Sequence, residues 1–495
     1  MRKVIIIGGG AGGMLAAGRA AECGANVVLL EKNGVLGRKL RITGKGRGNI
    51  TNTADLDDFI AAFGPNGKFL YGSFSRFSNQ DLIELLERLG VPTKVERGGR
   101  VFPQSDRAAD VVSALEEWLL ESKVDIRLGV RAQGLALDTE RRGEGVMGRG
   151  GECGPEGHQS STINHQPSAI SGVRVFGGVM AANAVVLATG GITYPRTGST
   201  GDGYQWAAEV GHTVIPPSPS LSALEVQEPW VPQLQGLSLR NVTATLYVNG
   251  KKAGKEFGEM LFTHFGVSGP IILTLSKVYT KLGEGGSTPS PTSEGARGGG
   301  TTPTPTSGGV PTSEGAMGGG STPSPTGPFC SGGGCTPSRA ELAINLKPAV
   351  KREELDERLI RDFAQTRQFK NYLPELLPKT LIPVFIQLSG IPADTSLNRI
   401  TAPQRLGMIE LLTDFRLTIT GARFADEAIV TAGGVSLKEI DPRTMESRLI
   451  KGLYFAGEVM DIDAVTGGFN LQAAFSTGWV AGENAARGKA PAAVE

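Results

Sequence analysis

Residues 4–13 read Val4-Ile5-Ile6-Ile7-Gly8-Gly9-Gly10-Ala11-Gly12-Gly13. Four apolar residues running straight into glycine make a short buried strand ending in a turn. From Ala11 to Cys23 the small and apolar residues then recur at helical spacing. Gly8, Gly10 and Gly13 supply the pattern G-x-G-x-x-G, each with its own physical task. The first permits the tight turn, the second lets a pyrophosphate approach the backbone at the helix start, and the third lets helix and strand pack closely. Ala11 and Gly12 lie between them and count with them as cofactor-contacting backbone. The pattern gains its weight from a second strand downstream, over Asn26 to Leu30, that ends at Glu31 and Lys32. A carboxylate there is placed for adenosine ribose hydroxyls. The expectation is a dinucleotide-binding β-α-β unit.

Outward from this unit, Gly37 to Asn52 packs five cations and four glycines into sixteen residues. A basic run is usually a solvated face and less often a nucleic-acid patch. This one comes five residues after the acidic ribose binder and alternates charge with glycine. The favoured reading is a loop closing over the phosphates and the flavin half of a cofactor, with Gly37, Arg38, Lys39, Thr43, Gly44 and Asn49 as contacts.

Two later strands share the same design. Val185 to Ala188 runs into Thr189, Gly190 and Gly191, and Leu453 to Ala456 runs into Gly457 and Glu458, then Asp461. Gly467 and Gly468 turn into a helix from Asn470, with Leu471, to about Ala486. Glycine-ended strands so far apart imply one discontinuous nucleotide-binding domain with other domains inserted. Carboxylates in the last segment suit ribityl hydroxyls, and a helix start suits a flavin ring edge, so FAD is preferred to NAD as the bound cofactor.

The expected fold class is therefore α/β: a discontinuous Rossmann-type FAD-binding domain carrying a β-rich, barrel-like domain and a small helical domain. The boundaries expected are 1–211 and 448–495 for the FAD domain, 212–349 and 414–447 for the β-rich domain, and 350–413 for the helical one. Val242 to Val248 leading into Asn249-Gly250 signals a hairpin. Helices are expected over Glu353 to Phe363, Leu376 to Leu388 and Pro403 to Leu412, and strands at Leu417 to Ile419 and Ala428 to Val430. Residues 139–171 read as an expanded flexible loop. From Gly283 to Pro328, 38 of 46 residues are Gly, Ser, Thr or Pro, which cannot build a core and reads as a second flexible insert.

Composition narrows the functional classes. The chain has 495 residues and a formal net charge of +1, which argues against a strongly basic nucleic-acid binder. No apolar run reaches membrane-spanning length. Four irregularly placed cysteines favour a reducing cytoplasm, and the Cys330–Cys335 spacing fits no zinc site, so no metal is expected.

Longer motifs then become informative together: 37–52, GRVFPQSDRAADVV from Gly99, GGITYPRTGSTGDGY from Gly190, GEMLFTHFGVSGP from Gly258, TAGGV from Thr431, and GLYFAGEVMDIDAVTGGFNLQAAFSTG from Gly452. The combination resembles the BaiN/YhiN-like family of NAD(P)/FAD-dependent oxidoreductases over nearly the whole chain outside the two inserts. The resemblance implies a three-part, glutathione-reductase-like flavoprotein and carries FAD contact onto Gly8, Gly10, Gly13, Glu31, Lys32, Arg38, Lys39, Gly457, Asp461 and Asn470. It permits an ene-reductase-like activity or an amine oxidase. The chain departs from it at Gly48, where the family usually has cysteine, so no thiol acts at that position.

Three residues are candidate catalysts. His264, one of four histidines, has the chemistry of a proton donor, against a structural role at a domain junction. Tyr194 and Arg196 suit an anionic or carbonyl substrate, or merely brace the flavin, and Asp202 reads chiefly as a helix-terminal acid. The leading expectation is an FAD-dependent oxidoreductase passing hydride between flavin N5 and a small organic substrate. With no second G-x-G-x-x-G after a strand, NAD(P)H would bind transiently. The alternatives are an amine oxidase using oxygen, a tRNA-modifying flavoprotein, and a flavin-binding module without turnover. A small-molecule partner, no nucleic acid and no membrane complete the reading.

Overall fold

The computed structural model describes residues 1–138, 169–284, 339–423 and 428–488. Nearly all of both expected inserts, with Cys153, Cys330 and Cys335, lies outside the described residues.

The opening apolar run forms the strand Lys3–Ile7, central in a five-stranded sheet. From one edge the order is Leu453–Phe455, Ala184–Leu187, Lys3–Ile7, Asn26–Glu31 and Asp125–Leu128, every neighbouring pair parallel. Strands buried on both faces read as unbroken apolar runs, which is why the sequence shows no alternation there. Asp125–Leu128 departs from that rule because it is a mostly exposed edge.

Two helices pack backbone to backbone beneath this sheet. Ala11–Glu22 crosses the C-terminal helix Phe469–Arg487 at two glycines of the latter. A methyl group on Gly478 would stand 2.2 Å from the Gly12 carbonyl oxygen, and one on Gly482 would stand 2.2 Å from that of Ala16. On the other side of the first helix, a methyl on Gly18 would meet the Trp118 ring at 2.1 Å. Glycine is thus required at the crossing because backbone occupies the space a side chain would need.

A second body is built on a closed barrel of six strands, in the order Leu224–Val226, Gly266–Ser268, Lys251–Phe262, Ser238–Val248, Ala340–Asn345, Phe415–Ala422. The expected hairpin is present. Asn249 and Gly250, both at positive φ, join Val248 to Lys251 in a two-residue turn. The helix Pro270–Glu284 lays Ile272 and Leu275 into the barrel core. Helices Arg352–Asp362, Ile382–Ser389 and Ala402–Thr413 come between two barrel strands and share that same core. The helix expected from Leu376 begins only at Ile382, with short 3-10 turns before it. Pro378 disfavours helix in the residue before it and cannot donate a helical hydrogen bond, whereas Pro383 is tolerated in the first turn. The strand expected over Ala428 to Val430 instead starts at Val430 and runs to Val435, pairing antiparallel with Val214–Ser220 as a ribbon between the two bodies. Among the described residues no helix is long and apolar enough to cross a membrane.

At the root of that ribbon His212 is enclosed. Its Nε2 lies 2.8 Å from Ser447 Oγ and its Nδ1 3.2 Å from Glu439 Oε2. Ser447 Oγ also accepts the N–H groups of Leu449 and Ile450, so this row of Ser, His and Glu is a structural tie with no lone pair left for chemistry.

Two outcomes are expected. Gly482→Val should lower the unfolding free energy by about 1–3 kcal/mol or more through overpacking, read as a lower Tm. Burial holds the His212 imidazole below its ordinary value despite the facing Glu439 carboxylate. The unfolded chain therefore binds more protons on the acid side. Stability fully present above about pH 6.5 should be lost as pH falls through the folded value, and His212→Gln should flatten that part of the Tm-versus-pH curve.

Candidate functional site

A cavity of about 1070 Å³ runs along the carboxyl ends of the parallel strands and continues to the barrel. Drug-sized pockets span about 300–1,000 Å³, so this space suits a dinucleotide with room beyond it. In open α/β sheets that edge is where ligands bind.

Its nucleotide wall is cleared of side chains. A methyl group on Gly10 would meet no protein atom within 4 Å, so only the cavity lies there. Helices Ala11–Glu22 and Phe469–Arg487 both begin on this wall with no side-chain cap, leaving N–H groups and the positive dipole end for an outside partner. Thr189 Oγ1, just after Ala184–Leu187, is buried without a hydrogen-bond partner among the described residues. Such groups fit an FAD: the first helix start would suit its pyrophosphate and the second a negatively charged ring edge.

Glu31 ends the second strand, nearly buried. Its Oε2 accepts the Gly9 N–H at 2.7 Å and its Oε1 accepts the Asn33 N–H at 2.8 Å. The Asn33 side-chain amide also donates to Oε1 at 2.7 Å, and since a carboxylate has about four acceptor positions, one remains for a ribose hydroxyl. Lys32 binds Asp202 at 2.9 Å, and Arg131 reaches the same carboxylate at 3.2 Å. Burial alone would raise the Asp202 carboxyl, but Lys32 and Arg131 hold it below the usual range.

A tighter network holds the middle of the cavity. Lys39 Nζ donates to Glu458 Oε2 at 2.7 Å and to Thr193 Oγ1 at 2.9 Å, while Glu458 Oε1 accepts the Thr431 N–H at 2.7 Å. Glu458 therefore ties the basic loop, the loop after Ala184–Leu187 and the inter-body ribbon to one carboxylate. The buried Tyr204 hydroxyl donates to the Glu458 carbonyl, and burial, then the Glu458 charge, pushes that phenol up.

Most residues read as cofactor contacts line this cavity: Gly8, Gly10, Ala11 and Gly12 at the first turn, Arg38 and Lys39 on a short helix, Arg38–Ile42, that stands where the sequence reading expects a loop, Thr43, Gly44 and Asn49 after it, and Thr189, Gly190, Gly457, Glu458, Gly468, Asn470 and Leu471 later, with Glu31 and Lys32. Three do not. Gly13 packs on Gly8, and Gly37 sits against Val112 while donating its N–H to the Gly9 carbonyl. Asp461 accepts the Asn66 side-chain amide at 3.1 Å, away from the cavity lining. Asn470 lines the cavity but spends its amide on Ala464, accepting at 2.8 Å and donating at 3.1 Å, so it braces the loop ahead of its helix.

The catalytic candidates are placed less favourably. His264 is exposed on the turn after Lys251–Phe262, edge-on to Phe265, and does not line the cavity. Arg196 is exposed in a 3-10 turn outside the lining. Tyr194 does line it, in the left-handed region at φ 54°, on a loop pinned to the Glu31 end where Asn33 donates to the Thr197 carbonyl. The wall facing the glycines comes instead from the barrel: Leu221, Ala223, Met260 and Leu273, with Ser238, Ser268 and Glu259 as its polar members. Sequence reading missed this wall, because its residues come from four separate segments.

The family model described as HI0933-like protein Rossmann domain matches residues 2–147 and 156–484. The chain is 29% identical over 489 residues to a 3-dehydro-bile acid delta(4,6)-reductase of Clostridium scindens, covering 98% of this chain and 99% of the relative. It is 28% identical over 481 residues to a ribosomal RNA dihydrouridine synthase of Escherichia coli, covering 97% of each. Among solved structures, it is similar to a 3-ketosteroid delta1-dehydrogenase of Sterolibacterium denitrificans at 13% identity and a TM-score of 0.46, over 99% of this chain and 100% of that one.

Gly10→Ala discriminates a packing role from a cofactor role. Its backbone, at φ −82°, suits any residue, so the variant should fold with a Tm near the parent's. Its FAD affinity should fall at least about tenfold, about 1.4 kcal/mol, measured by flavin retention and titration of the apoprotein.

Proposed function

The chain belongs to the HI0933-like family of FAD-dependent oxidoreductases, and on that premise we propose that it reduces a carbon–carbon double bond conjugated to a carbonyl, with NAD(P)H as transient electron donor. The observation that carries this reading is the continuity of one cavity from the glycine cradle to an apolar barrel wall. The activities named for the two curated relatives, a delta(4,6)-reductase of 3-dehydro bile acids and a dihydrouridine synthase, also share saturation of a ring double bond conjugated to a carbonyl.

When bound, FAD supplies hydride at N5. The protein does the rest by position. Gly8, Gly10 and Gly12 admit the pyrophosphate, and Glu31 takes the ribose. The Lys39–Glu458 pair fixes the loops on both sides of the ring, and the start of Phe469–Arg487 favours negative charge there. Leu221, Met260 and Leu273 exclude water from the acceptor, while the Ser238 and Ser268 hydroxyls offer hydrogen bonds to its carbonyl.

A second reading, in which the acceptor is a base within RNA, is favoured by one observation. Lys45 and Arg100 line the cavity, and exposed Arg97 reaches Asn241 beside exposed Arg240. Such cations suit a phosphate backbone. They come from three segments, so the expectation that nucleic acid is not a partner, drawn from the near-neutral net charge of the whole chain, does not weigh against them.

Anaerobic titration decides between these. Flavin absorbance should bleach with NADH or NADPH and return on adding a cyclic enone, without oxygen. Return with RNA alone, lost as salt rises, would select the second reading. Reduced flavin that responds to amines or oxygen and to no activated alkene would overturn both.

A further inference from the structure

Among the described residues the barrel wall contains one ionisable side chain, Glu259, and it lines the cavity. Glu259 lies on Lys251–Phe262, where Met260 and Phe262 are buried toward the barrel core. Glu259, Met260 and Leu261 all line the cavity there, and Glu259 is the ionisable one of the three. Opposite Glu259 the pairing breaks register: Leu239 pairs Met260 and Val242 pairs Gly258, so Arg240 and Asn241 together face Glu259 alone. This is a β-bulge, with Asn241 in the left-handed region at φ 55°. Bulges are over-represented next to active sites, where they re-aim a side chain. Gly269 then lets the adjoining loop lie on this strand, since a methyl there would stand 2.9 Å from the Met260 Cα. Among the described residues the Glu259 carboxylate forms no side-chain hydrogen bond or ion pair, although the same strand carries ordinary paired positions. The other polar groups of this wall, Ser238 and Ser268, are hydroxyls and too weakly acidic to serve as the acid.

We propose that Glu259 is the catalytic acid of the reduction, delivering a proton to the acceptor from the wall opposite the cofactor. The assignment rests on the double-bond reading above. Hydride, with two electrons, reaches the carbon β to the carbonyl from the nucleotide wall. The π pair of the double bond moves to the α-carbon and carbonyl oxygen, and the Glu259 O–H bond breaks as a new α-carbon–hydrogen bond forms. The carboxylate regains its proton from solvent at its half-exposed edge, and NAD(P)H restores the electrons. One face thus gives hydride and the other a proton, which the two-walled cavity permits without movement of the acceptor.

The test compares wild type, Glu259→Gln and Glu259→Asp as FAD-loaded proteins, using a cyclic enone and a cyclic nitroalkene. A nitroalkene accepts hydride without needing the acid, because its nitro group holds the charge as a nitronate. Glu259→Gln should lose enone turnover by at least about 100-fold, yet reoxidise with nitroalkene within about threefold of wild type and release nitronate in place of nitroalkane. Glu259→Asp should recover part of the enone rate. Affinity for a saturated cyclic ketone, read from the visible difference spectrum, and bleaching by NAD(P)H should stay within about twofold of wild type. Enone turnover at the wild-type rate in Glu259→Gln overturns the proposal. So does equal loss with both alkenes together with weaker ketone binding, which would mark a binding role. Wild type inert to both alkenes overturns the double-bond reading itself, and the acid role with it.

Discussion

The architecture depends on a contact between backbones. Gly12 and Ala16 of the first helix meet Gly478 and Gly482 of the last with no side chain between them. That approach fixes the distance between two helices whose N-termini both open on the cavity. Were the helices held apart by ordinary side chains, at the usual 8–10 Å or more, the two positive ends would no longer address one ligand. The same contact brings Leu453–Phe455 to the edge of the parallel sheet, so the glycines close the domain and shape the site in a single act.

A second set of contacts relates the barrel to this frame. Lys277, on the helix Pro270–Glu284, lies 3.0 Å from the Asp463 carboxylate and donates to the Asp463 carbonyl at 2.6 Å, both side chains being nearly buried. Ser220, in the ribbon, donates to the same carboxylate at 2.9 Å. Breaking a buried pair by removing one partner typically costs about 3–5 kcal/mol, so the pair is a firm joint. It connects the loop ahead of the C-terminal helix to the helix whose start forms part of the barrel wall, and thereby sets the gap between the two walls of the cavity.

How far each residue was legible in the sequence depends on how it does its work. Gly8, Gly10 and Glu31 act through local spacing, so a strand, a turn and a helix read in order were enough to find them. Glu458 was visible as an acid after a strand, but its ion pair with Lys39 joins positions more than four hundred residues apart. Asn470 and Asp461 read as cofactor contacts, whereas their partners in the fold, Ala464 and Asn66, are set by tertiary packing that local spacing does not show. Glu259 was hidden most thoroughly. It stands five residues before His264 in one motif, and histidine, the rarer residue, is the more conspicuous of the two as a proton-transfer side chain. Only tertiary placement, Glu259 on a strand beside a bulge and His264 on the turn beyond it, separates the residue that lines the cavity from the one that faces water.

The split sheet also imposes an order on synthesis. Ala184–Leu187 gains its outer neighbour, and the first helix gains its partner, only after Phe455 and Gly482 have left the ribosome. At about 5–20 residues per second, the early strands wait roughly twenty seconds to a minute or more with an open edge. Open edges invite pairing with other chains. A cradle assembled from the two ends of the sequence consequently acts as a check on completion: a chain interrupted before its last helix has the fingerprint for the cofactor but no closed site to hold it.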